Sequence, residues 1–255
     1  MRYVTSLLQK VLPASCVVQL RALDHYLHSA EECRLLSKLC DRNKCSVDVG
    51  ANLGILTYFL ARYSSHVYAY EPNPELASRL RRAFNKKITV VEAALSDTQE
   101  AAVLKIPYYR GVEMHGLASL TQDFRAADGV REFSVHLRRL DDENLTNIGF
   151  LKIDVEQNEE KVLRGGMGLI KSQRPNILLE VTPKLYSKSL LEFLADFLAL
   201  GYRGYFLYDR KLLKVEEYRM EIHNHTDNYG VRSKYMTNVV LSTAPLLAGY
   251  RQTST

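Results

Sequence analysis

Two groups of residues in this chain have types and spacings that could do chemistry. The first is Asp48, Gly50, Asn52 and Gly54, followed after one more apolar run by Glu71. Val47 to Val49 reads as a buried strand, and Leu56, Phe59 and Leu60 recur at helical spacing just beyond Gly54. A strand that ends in a glycine turn and opens a helix is a nucleotide cradle. Gly50 lets backbone approach a ligand with no Cβ in the way, and Gly54 lets the helix pack closely. His66 to Tyr70 reads as the next strand, and Glu71 at its end can accept hydrogen bonds from both hydroxyls of a ribose. The second group is Lys152, Asp154 and Glu156, near the end of an apolar run over 148–155. Residues two apart share one face of a strand. Charges seldom sit in buried strands without a partner or a task.

The spacing of the glycines says which nucleoside to expect. A dinucleotide site uses G-x-G-x-x-G to lay a pyrophosphate on bare backbone, whereas Ala51, Asn52 and Leu53 separate Gly50 from Gly54. S-adenosylmethionine carries no phosphate; it presents an ammonium, a carboxylate and a sulfonium, so an acidic Asp48 beside the turn helps rather than repels. We therefore expect methyl transfer rather than hydride transfer. Asp48, Gly50, Asn52 and Gly54 are assigned to the methionine and ribose side, Glu71 to the ribose diol, and Ser96 or Asp97 to the adenine edge. A turn or helix cap is the alternative for Ser96 and Asp97. Asp154 is the expected base or acceptor-orienting group and Glu156 its partner, with a structural salt bridge to Lys152 as the alternative. Paired oxygens from Asp154 and Glu156 also have the chemistry for magnesium or calcium, but no metal is part of the expectation. Ligands in such sheets bind outside the carboxyl ends of the strands, so Asp48, Glu71, Asp97 and Asp154 should converge.

Five ordered segments carry a family resemblance: Asp48-Val49-Gly50-Ala51-Asn52-Leu53-Gly54, Glu71-Pro72-Asn73-Pro74, Ala93-Ala94-Leu95-Ser96-Asp97, Leu140-Asp141-Asp142 and Leu151-Lys152-Ile153-Asp154-Val155-Glu156. Together they resemble the FkbM family of S-adenosylmethionine-dependent methyltransferases over about 45–181, with Thr237-Asn238-Val239-Val240-Leu241 similar to its closing strand. The resemblance implies a class I methyltransferase fold and O-methylation of a hydroxyl on a sugar, glycan or other natural product. The family continues K-x-D-x-E-G where this chain has Gln157, so the turn there should differ in backbone freedom or in what it offers the acceptor. Two other functions compete: a non-catalytic cofactor-binding homologue, which Gln157 keeps open, and an NAD-dependent sugar oxidoreductase or epimerase on the same half-site.

The elements that must position these residues alternate between strands and helices. Strands are expected at 88–91, 148–155, 177–181, 202–208 and 236–241, and helices at 31–40, 159–170 and 187–200. This predicts an α/β fold with a doubly wound, mostly parallel seven-stranded sheet, Rossmann-like, behind an N-terminal helical extension over 1–44; residues 45–255 form the methyltransferase domain. Alternating pieces at 102–106 and 133–137 suggest a hairpin around a mobile middle, a candidate lid. Residues 7–20 are moderately apolar but broken by Gln9, Lys10 and Pro13, which suits an arm covering the sheet edge or meeting another subunit, not a bilayer span.

With 34 Lys and Arg against 29 Asp and Glu, the net charge of +5 is too mild at 255 residues to imply nucleic acid. Cys16, Cys33, Cys40 and Cys45 make no C-x-x-C pair, so the expected compartment is the reducing cytoplasm. His223, His225 and Asp227 alternate as metal ligands would if extended, though polar residues between them read as a loop. His115 and His136 are candidate proton acceptors, with an exposed or core histidine as the alternative for each. Tyr108 and Tyr109 could stack on a sugar ring or simply pack a strand.

Overall fold

Helix signals and strand signals alternate along the chain, and the molecule follows them. A computed structural model describes residues 12–28, 31–183, 186–228 and 234–246. The first part of the expected N-terminal arm, 7–11, lies outside these residues. In chain order the main elements are α1 (Ala14–His28), α2 (Glu31–Leu39), β1 (Cys45–Val49), α3 (Ile55–Tyr63), β2 (Val67–Tyr70), α4 (Pro74–Ala83) and β3 (Ile88–Val91). An insertion follows with β4 (Ala94–Leu95), β5 (Ala101–Tyr109), β6 (Val112–Glu113) and β7 (Gly129–Arg138). The second half holds β8 (Ile148–Ile153), α5 (Glu159–Gly165), α6 (Met167–Gln173), β9 (Asn176–Glu180), α7 (Leu190–Ala199), β10 (Arg203–Tyr208), β11 (Lys211–Lys214), α8 (Met220–His223) and β12 (Asn238–Ser242).

Eight strands form the main sheet in the order β11-β10-β12-β9-β8-β1-β2-β3, one more than the seven expected. The strands from β9 to β3 run parallel, and β12, β10 and β11 are antiparallel. The extra strand is β11, which returns on β10 through Asp209 and Arg210, both with positive φ. The helix expected over 159–170 is two helices with Gly166 between them, and its second half runs on to Gln173.

Strand alternation divides the sheet into two faces. Val47, Val49, Leu151, Ile153, Ile177 and Leu179 point into the larger core with α5, α6 and α7, while Phe150, Leu178, Leu207 and Val240 pack against α2 and α3. The second face is the one that carries Asp48 and Lys152, so the functional residues lie on the side covered by the N-terminal helices. Local rules fix the helix starts. Asn73 caps α4, its side chain accepting from the amides of Glu75 and Leu76 at 2.9 and 3.3 Å ahead of Pro74, and Ser189 with Glu192 forms a capping box on α7.

The insertion is a second sheet, β4-β7-β5-β6, with a small core of Leu104, Ile106 and Val135. The two expected strand pieces pair antiparallel as β5 and β7, and the turn His115–Leu117 lies in the segment between them.

Candidate active site

The glycine turn is held in one shape by its backbone. Gly50, Asn52 and Gly54 have φ of 79°, 50° and 79°. A Cβ on Gly50 would lie 2.0 Å from the carbonyl oxygen of Asp154, and one on Gly54 would lie 2.6 Å from Leu80 Cδ2 on α4. Gly50 therefore seals the turn against β8, while Gly54 seats α3 against α4. Glu71 clamps the other side. Its Oε2 accepts from the Asn52 amide at 2.7 Å and its Oε1 from the Asn73 amide at 2.8 Å. Burial pushes this carboxyl up to about 7, although the two amides and Lys152 pull the other way.

Strand register builds the charged half of the site. Asp48 on β1 pairs with Lys152 on β8, which pairs with Leu178 on β9; two residues further along the same face stand Asp154 and Glu180. Asp48 is wholly buried, with Oδ2 accepting from Thr57 Oγ1 at 2.6 Å and Oδ1 3.5 Å from Lys152 Nζ. Lys152 Nζ donates to the Gly50 carbonyl at 3.0 Å and sits 3.3 Å from Asp154 Oδ2. The salt-bridge alternative for Asp154 thus holds as geometry, yet Asp154 also reaches open space. Burial opposes the Lys152 charge, but Asp154, Asp48 and Glu180 outweigh it and raise its proton affinity.

β8 ends at Ile153, two residues sooner than expected, and the chain turns through Glu156 and Gln157, with φ of 49° and 75°. This is the left-handed conformation that glycine adopts freely and other residues enter only at a cost. Gln157 keeps it because Glu159 Oε1 accepts from the amides of Val155 and Gln157, each at 3.2 Å, while Tyr186 donates its hydroxyl to Glu159 Oε2. The departure at Gln157 therefore leaves the turn in place. Burial, with Asp154 and Glu159 adding to it, pushes the Glu156 carboxyl up to about 8.

Two cavities meet at these residues. One of about 260 Å³ lies between the glycine turn, Tyr70, Glu71 and residues 93–95, roofed by His115, Gly116, Ala118 and Leu120 of the insertion. The other, about 590 Å³, is bounded by Leu53, Leu56, Leu178 and Leu207, by His25 and Glu32 of α1 and α2, and by Thr237 and Asn238 near β12. Gly50, Asn52, Asp154, Glu156 and Glu180 border both. Asn52 Oδ1 is buried there without a hydrogen-bond partner, so a ligand donor would satisfy it. Ser119 Oγ donates to the Glu156 carbonyl at 2.7 Å, tying the roof to the turn below it.

Several expected residues sit elsewhere. Asp48 borders neither cavity and stands behind Lys152 and Thr57. Asp97 leaves the expected convergence altogether, bonded to Arg164 at 3.1 and 2.9 Å, and Ser96 is buried beside it; residues 93–95 form the cavity wall in their place. His223 is a buried core histidine among Phe206, Tyr208 and Tyr218, with Nδ1 accepting from the Arg219 amide, whereas His225 faces the exposed Asp227. Among the described residues, no three His, Cys, Asp or Glu side chains are grouped to hold a metal. Tyr108 donates to Glu113, and neither it nor Tyr109 borders either of these two cavities. His115, which does, lies 3.3 Å from Glu113, and its proton affinity is lowered by burial; His136 is exposed on β7. Glu180 was missed, although an acidic residue ending the apolar run 177–179 is the same signal that pointed to Asp154.

The family model for the methyltransferase FkbM domain matches residues 48–205, more than half of the sequence. The chain belongs to the FkbM methyltransferase family. Among solved structures, this FkbM-family chain resembles a methyltransferase FkbM from Methylobacillus flagellatus at 16% identity and a TM-score of 0.50, covering 89% of this chain and 54% of the other. It thus spans about half the length of that protein. A putative methyltransferase from Streptococcus mutans, in complex with SAH, follows at 10% identity and a TM-score of 0.46, covering 82% and 93%. No curated protein matches the sequence.

Proposed function

We propose that this chain is an S-adenosylmethionine-dependent O-methyltransferase whose acceptor is a hydroxyl on a sugar, glycan or related natural product. The observation that carries the reading is the pair of cavities that share Gly50, Asn52 and three carboxylates, giving a donor and an acceptor one common wall. When bound, the cofactor supplies an electrophilic methyl group on a sulfonium. The smaller cavity suits its nucleoside. Glu71 faces that space with lone pairs left for a ribose diol, Asn52 Oδ1 can accept from an ammonium or hydroxyl, and residues 93–95 with Tyr70 give the apolar wall a base needs. The turn has no second glycine pair for a pyrophosphate, which weighs against NAD.

Methyl transfer to an alcohol breaks the carbon–sulfur bond, leaves its electron pair on sulfur, forms the oxygen–carbon bond and releases the hydroxyl proton. Asp154, with one oxygen held by Lys152, is placed to orient that hydroxyl and receive its proton, with Glu156 beside it. Asp48 acts one step back, as the buried charge that keeps Lys152 in place. We take 1–44 as accessory to 45–255, since α1 and α2 supply His25 and Glu32 to the larger cavity. Four free cysteines favour a reducing compartment such as the cytoplasm, and no helix among the described residues is long and apolar enough to cross a membrane.

Calorimetric titration with S-adenosylmethionine, S-adenosylhomocysteine and NAD tests the reading. The first two should bind and the third should not; binding of NAD alone would transfer the chain to the oxidoreductase alternative. Methyl incorporation across a glycan and metabolite screen then identifies the acceptor, and cofactor binding without turnover of any acceptor would favour the non-catalytic homologue.

A further inference from the structure

The geometry points to Asp154 and Glu180 acting as one carboxyl dyad that holds a single proton at the junction of the two cavities, with Glu180 the positioning residue for Asp154. This rests on the methyltransferase reading. The register that pairs Lys152 with Leu178 and Ile153 with Leu179 brings the next residues, Asp154 and Glu180, to neighbouring places, and both line the same three cavities. Two carboxylates that line one confined space cannot both ionise freely, and one proton between them relieves the repulsion. The surrounding charges leave that proton in place. Lys152 from β8 is shared between Asp154 and the buried Asp48 of β1. Glu156 on the turn and Glu159 on α5 add negative charge beside the pair when ionised, Glu71 lines the smaller cavity with it, and His25 and Glu32 on α1 and α2 pair with each other at 3.2 Å. Burial and Asp154 together raise the Glu180 carboxyl above the usual carboxylate range.

Both residues border a third, smaller space of about 30 Å³ that also touches Glu159 and Tyr186, room for about one water. The dyad thereby lines both ligand cavities and this water-sized space. As a hydroxyl proton arrives at Asp154, Glu180 can give up the proton it already holds to a water in that space, so the pair again carries one proton and a fixed charge need not build up where the alcohol sits.

A positive charge placed beside such a dyad favours its ionised form. S-adenosylmethionine carries one more positive charge, at sulfur, than S-adenosylhomocysteine, and the two are otherwise matched probes. Titrating the full chain with each at pH 7, in buffers of different ionisation enthalpy, should show S-adenosylmethionine releasing about one proton more than S-adenosylhomocysteine. In Glu180→Gln both should still bind and that difference should vanish. Carbon-13 NMR of the Glu180 carboxyl should show it holding its proton above the usual carboxylate range in the wild type and shifted back towards that range in Asp154→Asn. With an acceptor in hand, Glu180→Gln should lose about 10- to 100-fold in kcat with little change in KM, and Glu180→Asp should recover part of it. A Glu180 carboxyl that titrates alike in the wild type and in Asp154→Asn, or unchanged proton release in Glu180→Gln, would overturn the dyad. If neither nucleoside binds, the methyltransferase reading fails; if both bind with equal proton release, only the dyad fails.

Discussion

The glycine turn and the carboxylate wall meet at Gly50, but they are built in opposite ways. In the turn, Glu71 takes the amides of Asn52 and Asn73, and two of the three left-handed positions, Gly50 and Gly54, are glycine, the third being Asn52. In the wall, Asp154, Glu156 and Glu180 crowd around one buried lysine, and the left-handed positions Glu156 and Gln157 are not glycine. The first half has the character of a rigid cradle. The second holds crowded carboxyl groups with raised proton affinity and left-handed backbone at two non-glycine residues, the condition expected where a site must bind and move protons. Structure on the cradle side should therefore fail by sterics, and on the wall side by electrostatics.

The largest effect is expected from Gly50→Ala. Its Cβ would meet the Asp154 carbonyl at 2.0 Å in a backbone conformation that disfavours side chains, so we expect a loss of about 3 kcal/mol or more and loss of S-adenosylhomocysteine binding. Thermal denaturation and calorimetry measure both, and an intact Gly50→Ala protein with wild-type affinity would remove the steric basis of the comparison. Next comes Asp154→Asn, expected to lower kcat by about 10²- to 10⁴-fold while cofactor affinity is largely kept; full turnover would take Asp154 out of the mechanism.

The pH response should separate the halves further. Glu156 titrates at about 8 in the folded chain, so if its carboxylate assists proton removal the rate should rise with pH through about 8, and Glu156→Gln should abolish that rise. Stability should run the other way. Glu71 and Glu156 are raised to about 7 and about 8 from the ordinary carboxyl value of 4.5, so the folded state holds their protons more tightly than the unfolded chain. That contribution is full below about pH 4.5 and fades as pH rises towards 8, which melting of the cofactor-free protein at pH 5.5 and pH 9 would check. The smallest effect belongs to Gln157→Gly. Relief at φ 75° should exceed the entropy glycine adds to the unfolded chain, for a gain of up to about 1 kcal/mol. A drop in melting temperature would mean that the Gln157 side chain itself holds the turn.

The same contrast explains what could be read in advance. The cradle follows from neighbours in sequence: a strand, glycines at fixed spacing, a helix, and a carboxylate after the next strand, all visible as residues 48–54 and 66–71. Asp97 misled because its surroundings are set by Arg164, which no local pattern announces. Glu180 was missed for a related reason, since a single acid at the end of an apolar run acquires meaning only when register sets it beside Asp154.

By itself the sequence determined the alternation of strands and helices, the glycine turn with its clamping Glu71, and the family, because those depend on periodicity and on residues close along the chain. Tertiary structure alone decided that Asp48 stands behind the site, that residues 93–95 rather than Ser96 and Asp97 line it, that β11 adds an eighth strand, and that Glu180 joins Asp154. Burial and mutual charge act through space between segments well separated along the chain, and only the folded packing brings those segments into range.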